Sequence, residues 1–351
     1  MKTALVVGTR PEIIKMSPVM QALAKRQADF AVLFTRQHFT PVMGERMLEE
    51  FEYGTDRILE ARTDGALMDV ASDFDAIVVL GDTTSVALGA VAAVSKKKLL
   101  VHVEAGLRSY DMRMREERNR AMVDHASDLM YAPCLSHALN LLRENVLGKV
   151  KVVGNTIADV LAGLPKSQPK GGFCLITLHR PELVEEPAKF QSSLDAVSRF
   201  LKTIGRHGFY PMHPFSRQVA EKNHVVVPPN ISVASPLTAH QTWKLIQSSD
   251  YVFTDSGGIQ EEACILGTPC FTIRPNTERP ETVDLRANVI VPPSVNSVEM
   301  VTTMIEAKFK KEWEHPDGKN VGETIVQDLL REGAIYVTDE AERKIWAGTA
   351  D

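Results

Sequence analysis

The chain has 351 residues and a formal net charge of -5, long enough for two domains of ordinary size, each with its own core. An apolar fraction of 44% and a charged fraction of 24% are those of a globular protein in water. The negative balance argues against a protein held to nucleic acid by phosphate attraction. Cys134, Cys174, Cys264 and Cys270 form no CxxC pair and no zinc-like spacing, and no HExxH or similar metal spacing occurs. Each cysteine sits in an apolar run, as expected of small buried hydrophobes in a reducing compartment.

The chain opens with the strand Ala4 to Val7, too short before Gly8 to be a signal-peptide core, so the expected location is cytoplasmic. Gly8-Thr9-Arg10-Pro11-Glu12 follows it, with Pro11 suited to a first helical turn. Arg10 projects from this strand end, with Lys15 about one turn on; an arginine here either grips phosphate oxygens or is a surface residue of a capped turn. A strand at Ala31 to Phe34 comes next, then one at Ala76 to Leu80. The apolar stretch Ala76 to Val94 contains Asp82, threonines and glycines, and reads as strand, loop and helix rather than a membrane span. In Gly81-Asp82-Thr83-Thr84-Ser85, Asp82 is either a group facing a ligand or the cap of the helix from Thr84 onward.

Leu99 to Val103 is the next strand and runs into His102-Val103-Glu104-Ala105-Gly106-Leu107-Arg108. Ionisable groups at a strand end are costly unless paired or used, and Arg108 is a candidate ion-pair partner for Glu104. Glu116-Glu117-Arg118-Asn119-Arg120 opens a helix carrying Asp124 and His125; acidic residues in a first turn are also expected from the helix dipole. Strands at Leu129 to Ala132 and Lys151 to Val153 close this series. The prolines, glycines and polar residues of Leu164 to Gly172 read as a linker.

A second series begins with Phe173 to Leu178, followed by His179-Arg180-Pro181-Glu182. His179 at a strand end is a natural proton carrier near neutral pH, or a packed and hydrogen-bonded ring. Phe209 to Met212 leads to His213, and further strands are Ile231 to Val233, Tyr251 to Thr254, Cys270 to Ile273, which leads to Arg274, and Val289 to Val291. Between Thr254 and the helix through Leu266-Gly267 lies Asp255-Ser256-Gly257-Gly258-Ile259-Gln260-Glu261-Glu262. Glycines there let backbone approach a ligand, and a helix N-terminus favours phosphate. Glu262, one turn later, is placed to accept from ribose hydroxyls; taken alone, the Ser-Gly-Gly turn is also an ordinary connection.

Strands alternating with helices, with continuous apolar runs, predict parallel sheets covered on both faces. The expected fold class is α/β, with two Rossmann-like domains facing across a cleft. The expected boundaries are 1–165 and 172–335, with a helical tail over 336–351 packing back on the first domain. Ligands in such sheets bind beyond the carboxyl ends of strands.

In order along the chain, the strings GTRPEIIKMSP, GDTTS, HVEAGLRS, EERNR, GNT, TLHRPE, DSGGIQEE and TERPE resemble the UDP-N-acetylglucosamine 2-epimerase family of non-hydrolysing type. The resemblance spans Gly8 to about Glu281. It implies a GT-B-like fold, a homodimer and no cofactor. It implies interconversion of UDP-GlcNAc and UDP-ManNAc by elimination of UDP to 2-acetamidoglucal and re-addition. It further implies Asp82, Glu104 and Glu116 as acid/base groups and His179 as a fourth, assisting UDP departure or proton transfer. Arg10, Lys15, His213, Arg274, Ser256, Gly257, Gly258 and Glu262 become the substrate-binding set, with Arg10 and the Ser-Gly-Gly turn at phosphate and Glu262 at ribose. The chain departs from the family's pattern at Arg36, where a glycine is usual in a region some members use to bind an activating second UDP-GlcNAc. It departs also at Arg115, Phe215-Ser216 and Val283 to Arg286. A modified UDP-sugar, a hydrolysing 2-epimerase, a GT-B glycosyltransferase and a UDP-sugar binding protein are the competing readings.

Overall fold

A computed structural model of the chain describes residues 1–35, 58–60, 64–164, 171–313 and 318–346. Arg36 and residues 165–170 of the expected linker lie outside the described residues. The chain forms two compact units, Met1–Gly163 with Pro316–Asp351, and Leu164–His315.

The first unit holds a seven-stranded, all-parallel sheet in the order β3-β2-β1-β4-β5-β6-β7. Its strands are β1 (Thr3–Val7), β2 (Phe30–Phe34), β3 (Ile58–Glu60), β4 (Ala76–Leu80), β5 (Leu99–Val103), β6 (Leu129–Ala132) and β7 (Lys149–Val152). Its helices are α1 (Arg10–Lys25), α2 (Asp64–Ala71), α3 (Thr84–Ser95), α4 (Arg115–Ala126), α5 (Leu135–Arg143), α6 (Thr156–Ala162) and, from the far end of the chain, α14 (Val321–Trp346). β1 to β6 are the expected strands plus β3, and β7 starts two residues before the expected Lys151.

Alternate residues of β1 and β4 feed opposite cores, as the pleat requires. Leu5, Val7, Val78 and Leu80 pack with Ile13, Met16, Met20 and Leu23 of α1 and with Val321, Ile325, Val326 and Leu329 of α14. Ala4, Val6, Ile77 and Val79 face Leu67 and Ala71 of α2 and Val86 and Ala90 of α3. The expected tail boundary at 336 is therefore too late. The buried stripe that returns the chain to this unit starts at Val321, and Gly322 lies against the Pro18 backbone, where a Cβ would fall 2.5 Å from its carbonyl oxygen. Pro18 sits inside α1 and cannot donate to the Ile14 carbonyl; the Ser17 hydroxyl does so instead, at 2.7 Å.

The second unit holds six parallel strands in the order β10-β9-β8-β11-β12-β13. These are β8 (Phe173–Thr177), β9 (His207–Pro211), β10 (Ile231–Ala234), β11 (Val252–Thr254), β12 (Cys270–Thr272) and β13 (Asn288–Ile290). Its helices are α7 (Pro181–Val184), α8 (Pro187–Thr203), α9 (Pro214–Lys222), α10 (Ala239–Ser248), α11 (Gly257–Ile265), α12 (Pro280–Asp284) and α13 (Ser297–Glu306). Phe253 stacks on Phe271 at 5.1 Å, and Phe200 from α8 meets both edge-on. All four cysteines are free and buried, as expected, and burial pushes the Cys174 and Cys270 thiols up to about 12.

In each unit the sheet order reverses beside the first strand, between β1 and β4 and between β8 and β11. Ligands of open parallel sheets sit at such a switch point, beyond the strands' carboxyl ends. Those ends are Gly8 to Arg10 and Gly81-Asp82 in the first unit, and Leu178-His179 and Asp255-Ser256 in the second.

Candidate active site

In the first unit, the β1–α1 and β4–α3 turns are laced together. Glu12, buried in the first turn of α1, accepts from the Gly8 and Thr9 amides at 2.7 and 2.8 Å and from the Thr83 hydroxyl. Burial raises the Glu12 pKa, opposed by these donors. Arg10 begins α1 and is half-buried, and its Nε has no hydrogen-bond partner among the described residues.

Glu104 follows β5 with a left-handed φ of 63°, and Gly81 beside it has 84°. A non-glycine residue held there costs about 1 kcal/mol or more, and such outliers concentrate at working sites. The backbone turn places Glu104 Oε2 3.9 Å from where a Gly81 Cβ would stand. Glu104 Oε1 accepts from Lys15 Nζ at 2.6 Å and from Asn155 Nδ2 at 2.7 Å. Both charges of the Lys15–Glu104 pair are buried. The expected partner, Arg108, is engaged elsewhere: it forks onto Glu144 at 2.8 and 2.6 Å and reaches Asp124 at 2.7 Å. The reason is register, since Glu104 leaves the sheet beside Gly81 while Arg108 lies in the loop that packs on α4 and α5.

His102 lies inside β5, fully buried, with Nδ1 2.6 Å from Asp124 Oδ1 and Nε2 2.8 Å from the Gly81 carbonyl. Burial works to raise the Asp124 pKa, but His102 and Arg108 outweigh it and hold the carboxyl below its ordinary value. The backbone that carries Asp82 is thus tied to the middle of β5.

Asp82 does not cap α3; that helix has Thr83 as its N-cap residue. Instead Arg120 Nη2 donates to Asp82 Oδ2 at 2.5 Å and Nη1 to Glu117 Oε2 at 2.9 Å, while Asn119 Nδ2 holds the Asp82 carbonyl at 2.8 Å. The EERNR string therefore divides its work. Glu117 is buried and also accepts from the Ser109 and Tyr110 amides and the Ser109 hydroxyl. Glu116, its neighbour, is half-buried in the first turn of α4. Arg120, Asn119 and Asn155 are absent from the expected site; EERNR contains the first two and GNT the third, but nothing in sequence spacing shows which side chains turn toward Asp82 or Glu104.

In the second unit, His179 and His213 come together with ring centroids 6.0 Å apart. His213 caps α9, its Nδ1 accepting from the Phe215 amide at 3.2 Å, so that Nε2 carries its proton. Burial, and then the nearby His179, lower the His213 pKa. Asp255 is fully buried and accepts the His179 and Arg180 amides on Oδ2, each at 2.8 Å, with Oδ1 3.4 Å from His179 Nδ1.

Ser256 is the N-cap residue of α11, but its hydroxyl makes no bond to the helix's first amides. The Glu278 carboxylate lies over this turn: a Cβ on Gly257 would fall 2.1 Å from Glu278 Oε1. Arg274 Nη1 lies 2.8 Å from Glu278 Oε2. Gly258 and Glu262 are half-buried on α11. The Glu278 carboxylate thus lies beside the first residue of α11, and a helix N-terminus favours negative charge.

The sequence profile of the UDP-N-acetylglucosamine 2-epimerase family matches residues 21–321. A protein of Methanocaldococcus jannaschii named UDP-N-acetylglucosamine 2-epimerase is 33% identical, covering 94% of this chain and 99% of its own. The chain belongs to the UDP-N-acetylglucosamine 2-epimerase family. Members of this family are isomerases, and the chain is an enzyme of that class. A crystal structure of the Methanocaldococcus jannaschii enzyme in complex with UDP-GlcNAc and UDP matches with a TM-score of 0.82, over 94% of this chain and 100% of that one. A family relative from Pseudomonas aeruginosa, a UDP-2,3-diacetamido-2,3-dideoxy-D-glucuronate 2-epimerase, is 33% identical over 83% of this chain and 88% of its own. A spinosyn rhamnosyltransferase, 12% identical with a TM-score of 0.50 over 97% of this chain, shares the fold alone. The fold class is α/β and GT-B-like, as expected. No helix among the described residues is long and apolar enough to cross a membrane.

Proposed function

We propose that this chain is a non-hydrolysing 2-epimerase that interconverts UDP-GlcNAc and UDP-ManNAc. What carries the reading is the likeness, over 94% of the chain, to an enzyme crystallised with UDP-GlcNAc and UDP. A carboxylate removes the carbon-2 proton, the C–H electron pair becomes the C1–C2 double bond, and the C1–O bond breaks with its pair leaving on UDP. Return of a proton to the other face of carbon 2, with re-formation of the C1–O bond, completes the inversion. Two faces need two proton carriers. Asp82, Glu104 and Glu116 supply the carboxylates, and Lys15, Asn155 and Arg120 hold the first two in place. His179 protonates the departing UDP, His213 donates from Nε2, and Arg10 and the Ser256 to Gly258 turn receive the diphosphate. Glu262 binds ribose and Arg274 lines the same turn through Glu278. Donors aimed where charge develops lower the barrier most.

A second reading keeps this mechanism but takes a 2,3-diacetamido uronate sugar; the Pseudomonas aeruginosa relative favours it. We place the enzyme in the cytoplasm and assemble it as a homodimer, which the exposed Leu135, Leu139 and Leu142 on one side of α5 support. Proton NMR with UDP-GlcNAc in heavy water is the test. Deuterium entering carbon 2 while UDP-ManNAc accumulates is the expected result. Free ManNAc with stoichiometric UDP indicates hydrolysis, and exchange seen with the diacetamido uronate substrate alone favours the second reading.

A further inference from the structure

We propose that Asp255 is the orienting partner of His179, a carboxylate–imidazole pair that keeps the ring's Nδ1 protonated and leaves Nε2 to exchange the proton with UDP. The inference rests on the reading of His179 as the proton carrier of UDP departure.

Three observations carry it. First, Asp255 and His179 leave neighbouring strands at the switch point. Thr254 of β11 pairs with Thr177 of β8, and the Asp255 amide donates to the Thr177 carbonyl at 3.2 Å. Second, the two carboxylate oxygens have different occupations. Oδ2 takes the His179 and Arg180 amides, which is all that capping the turn into α7 requires. Oδ1 is buried with no hydrogen bond among the described residues, and faces His179 Nδ1 at 3.4 Å. A buried oxygen left so costs about 1–3 kcal/mol, and hydrogen bonds of catalytic pairs are commonly long without substrate and tighten with it.

Third, no neighbour among the described residues hydrogen-bonds to Oδ1. The titratable and charged groups facing the pair are Arg180 on the same loop, Tyr210 on β9 and His213 at the start of α9. Tyr210 and Ser216 both donate to the Leu178 carbonyl, at 2.5 and 2.8 Å, and His213 Nδ1 is spent on α9. Arg180 reaches Oδ2 through its amide. Burial raises the Asp255 carboxyl, although the His179 charge opposes this. A proton arriving on His179 therefore adds to the Arg180 charge that already acts on the carboxylate. The pair gives the two histidines opposite duties: His213 is a fixed neutral donor, and His179 takes and gives the proton.

Asp255→Asn keeps the shape and can still accept both amides, but presents an N–H to His179 Nδ1 and so drives the proton to Nε2. The test uses the full-length enzyme labelled with 15N-histidine, with long-range 15N–1H spectra at alkaline pH and His179→Gln to assign the signal. The expected wild-type tautomer is Nδ1–H, and Asp255→Asn changes it to Nε2–H. With UDP-GlcNAc, kcat falls on the order of 10²–10⁴-fold while KM and the melting temperature stay near wild type. An unchanged tautomer and kcat in Asp255→Asn overturn the inference. If that variant does not fold, the wild-type spectrum decides, because an Nε2–H tautomer there overturns it equally. Absence of carbon-2 exchange by the wild type sinks the epimerase reading instead, and the tautomer still tests the pair.

Discussion

Lys15 and Glu104 lie 89 residues apart and meet at 2.6 Å in a buried ion pair. The family resemblance implies Lys15 as a ligand of the UDP-sugar, and the sequence offers Arg108 as the candidate partner of Glu104. Neither inference sees across the sheet. β5 stands two places from β1, and the left-handed turn at Glu104 aims its carboxylate back toward α1. Breaking a buried pair leaves the other charge uncompensated, at a cost of about 3–5 kcal/mol. Lys15→Met is therefore expected to lower unfolding stability by that order, read by urea denaturation followed by circular dichroism. It should also abolish carbon-2 exchange, because Glu104 then protonates or turns away. Loss of exchange with unchanged stability would instead mark Lys15 as a substrate ligand. Arg120 repeats the lesson: its guanidinium joins Asp82 to Glu117, and the EERNR string announces the helix without announcing that contact.

Strands and helices were legible where apolar runs were continuous. β4, β5 and β6 match their sequence runs, and the strands of the second unit do so within one to two residues; β4, β5, β6, β11 and β12 are buried along their whole length. β3 was not, since Ile58–Glu60 is three residues with no apolar run around it. The return of the chain to the first unit, expected from 336, begins earlier with α14 for a different reason. Its stripe Val321, Ile325, Val326 and Leu329 has helical spacing, but spacing does not say which core receives it. Its docking is completed by Lys149 and Lys151 of β7, which bind Glu332 at 2.6 and 3.2 Å, and by Asp328, which binds Tyr131 at 3.0 Å. Lys149 and then Lys151 draw the Glu332 pKa from 4.5 to about 2. A carboxyl depressed on folding stabilises above its unfolded value and loses that contribution as pH falls through the folded one. The clamp on α14 is thus expected to weaken between pH 4.5 and about 2. Hydrogen exchange of the α14 amides should rise across that window, and Glu332→Gln should show the faster exchange already at neutral pH. Identical exchange in the variant and the parent would remove Glu332 from the account.

At the scale of the whole molecule, Val91 and Val94 on α3, Met122 on α4 and the α5 leucines leave large apolar side chains in water. Exposed apolar groups gathered on one part of a surface mark association sites. Sedimentation is expected to give twice the mass of one chain, and Leu135→Glu with Leu142→Glu to give the single-chain mass; a single-chain mass for the parent would end the homodimer reading. The amino-acid sequence by itself determined two α/β units, the strands buried on both faces, and the strand ends that carry polar residues. Periodicity and turn chemistry are local, and local order is enough to decide them. The ordered motifs also determined the family. Tertiary structure alone decided which charges meet. Glu104 takes Lys15 and not Arg108, Asp82 takes Arg120, Asp255 faces His179, and α14 returns to the first sheet. Each of these pairings crosses between strands or from a strand end to a helix, and their partners are chosen by register and burial, which no spacing along one chain encodes.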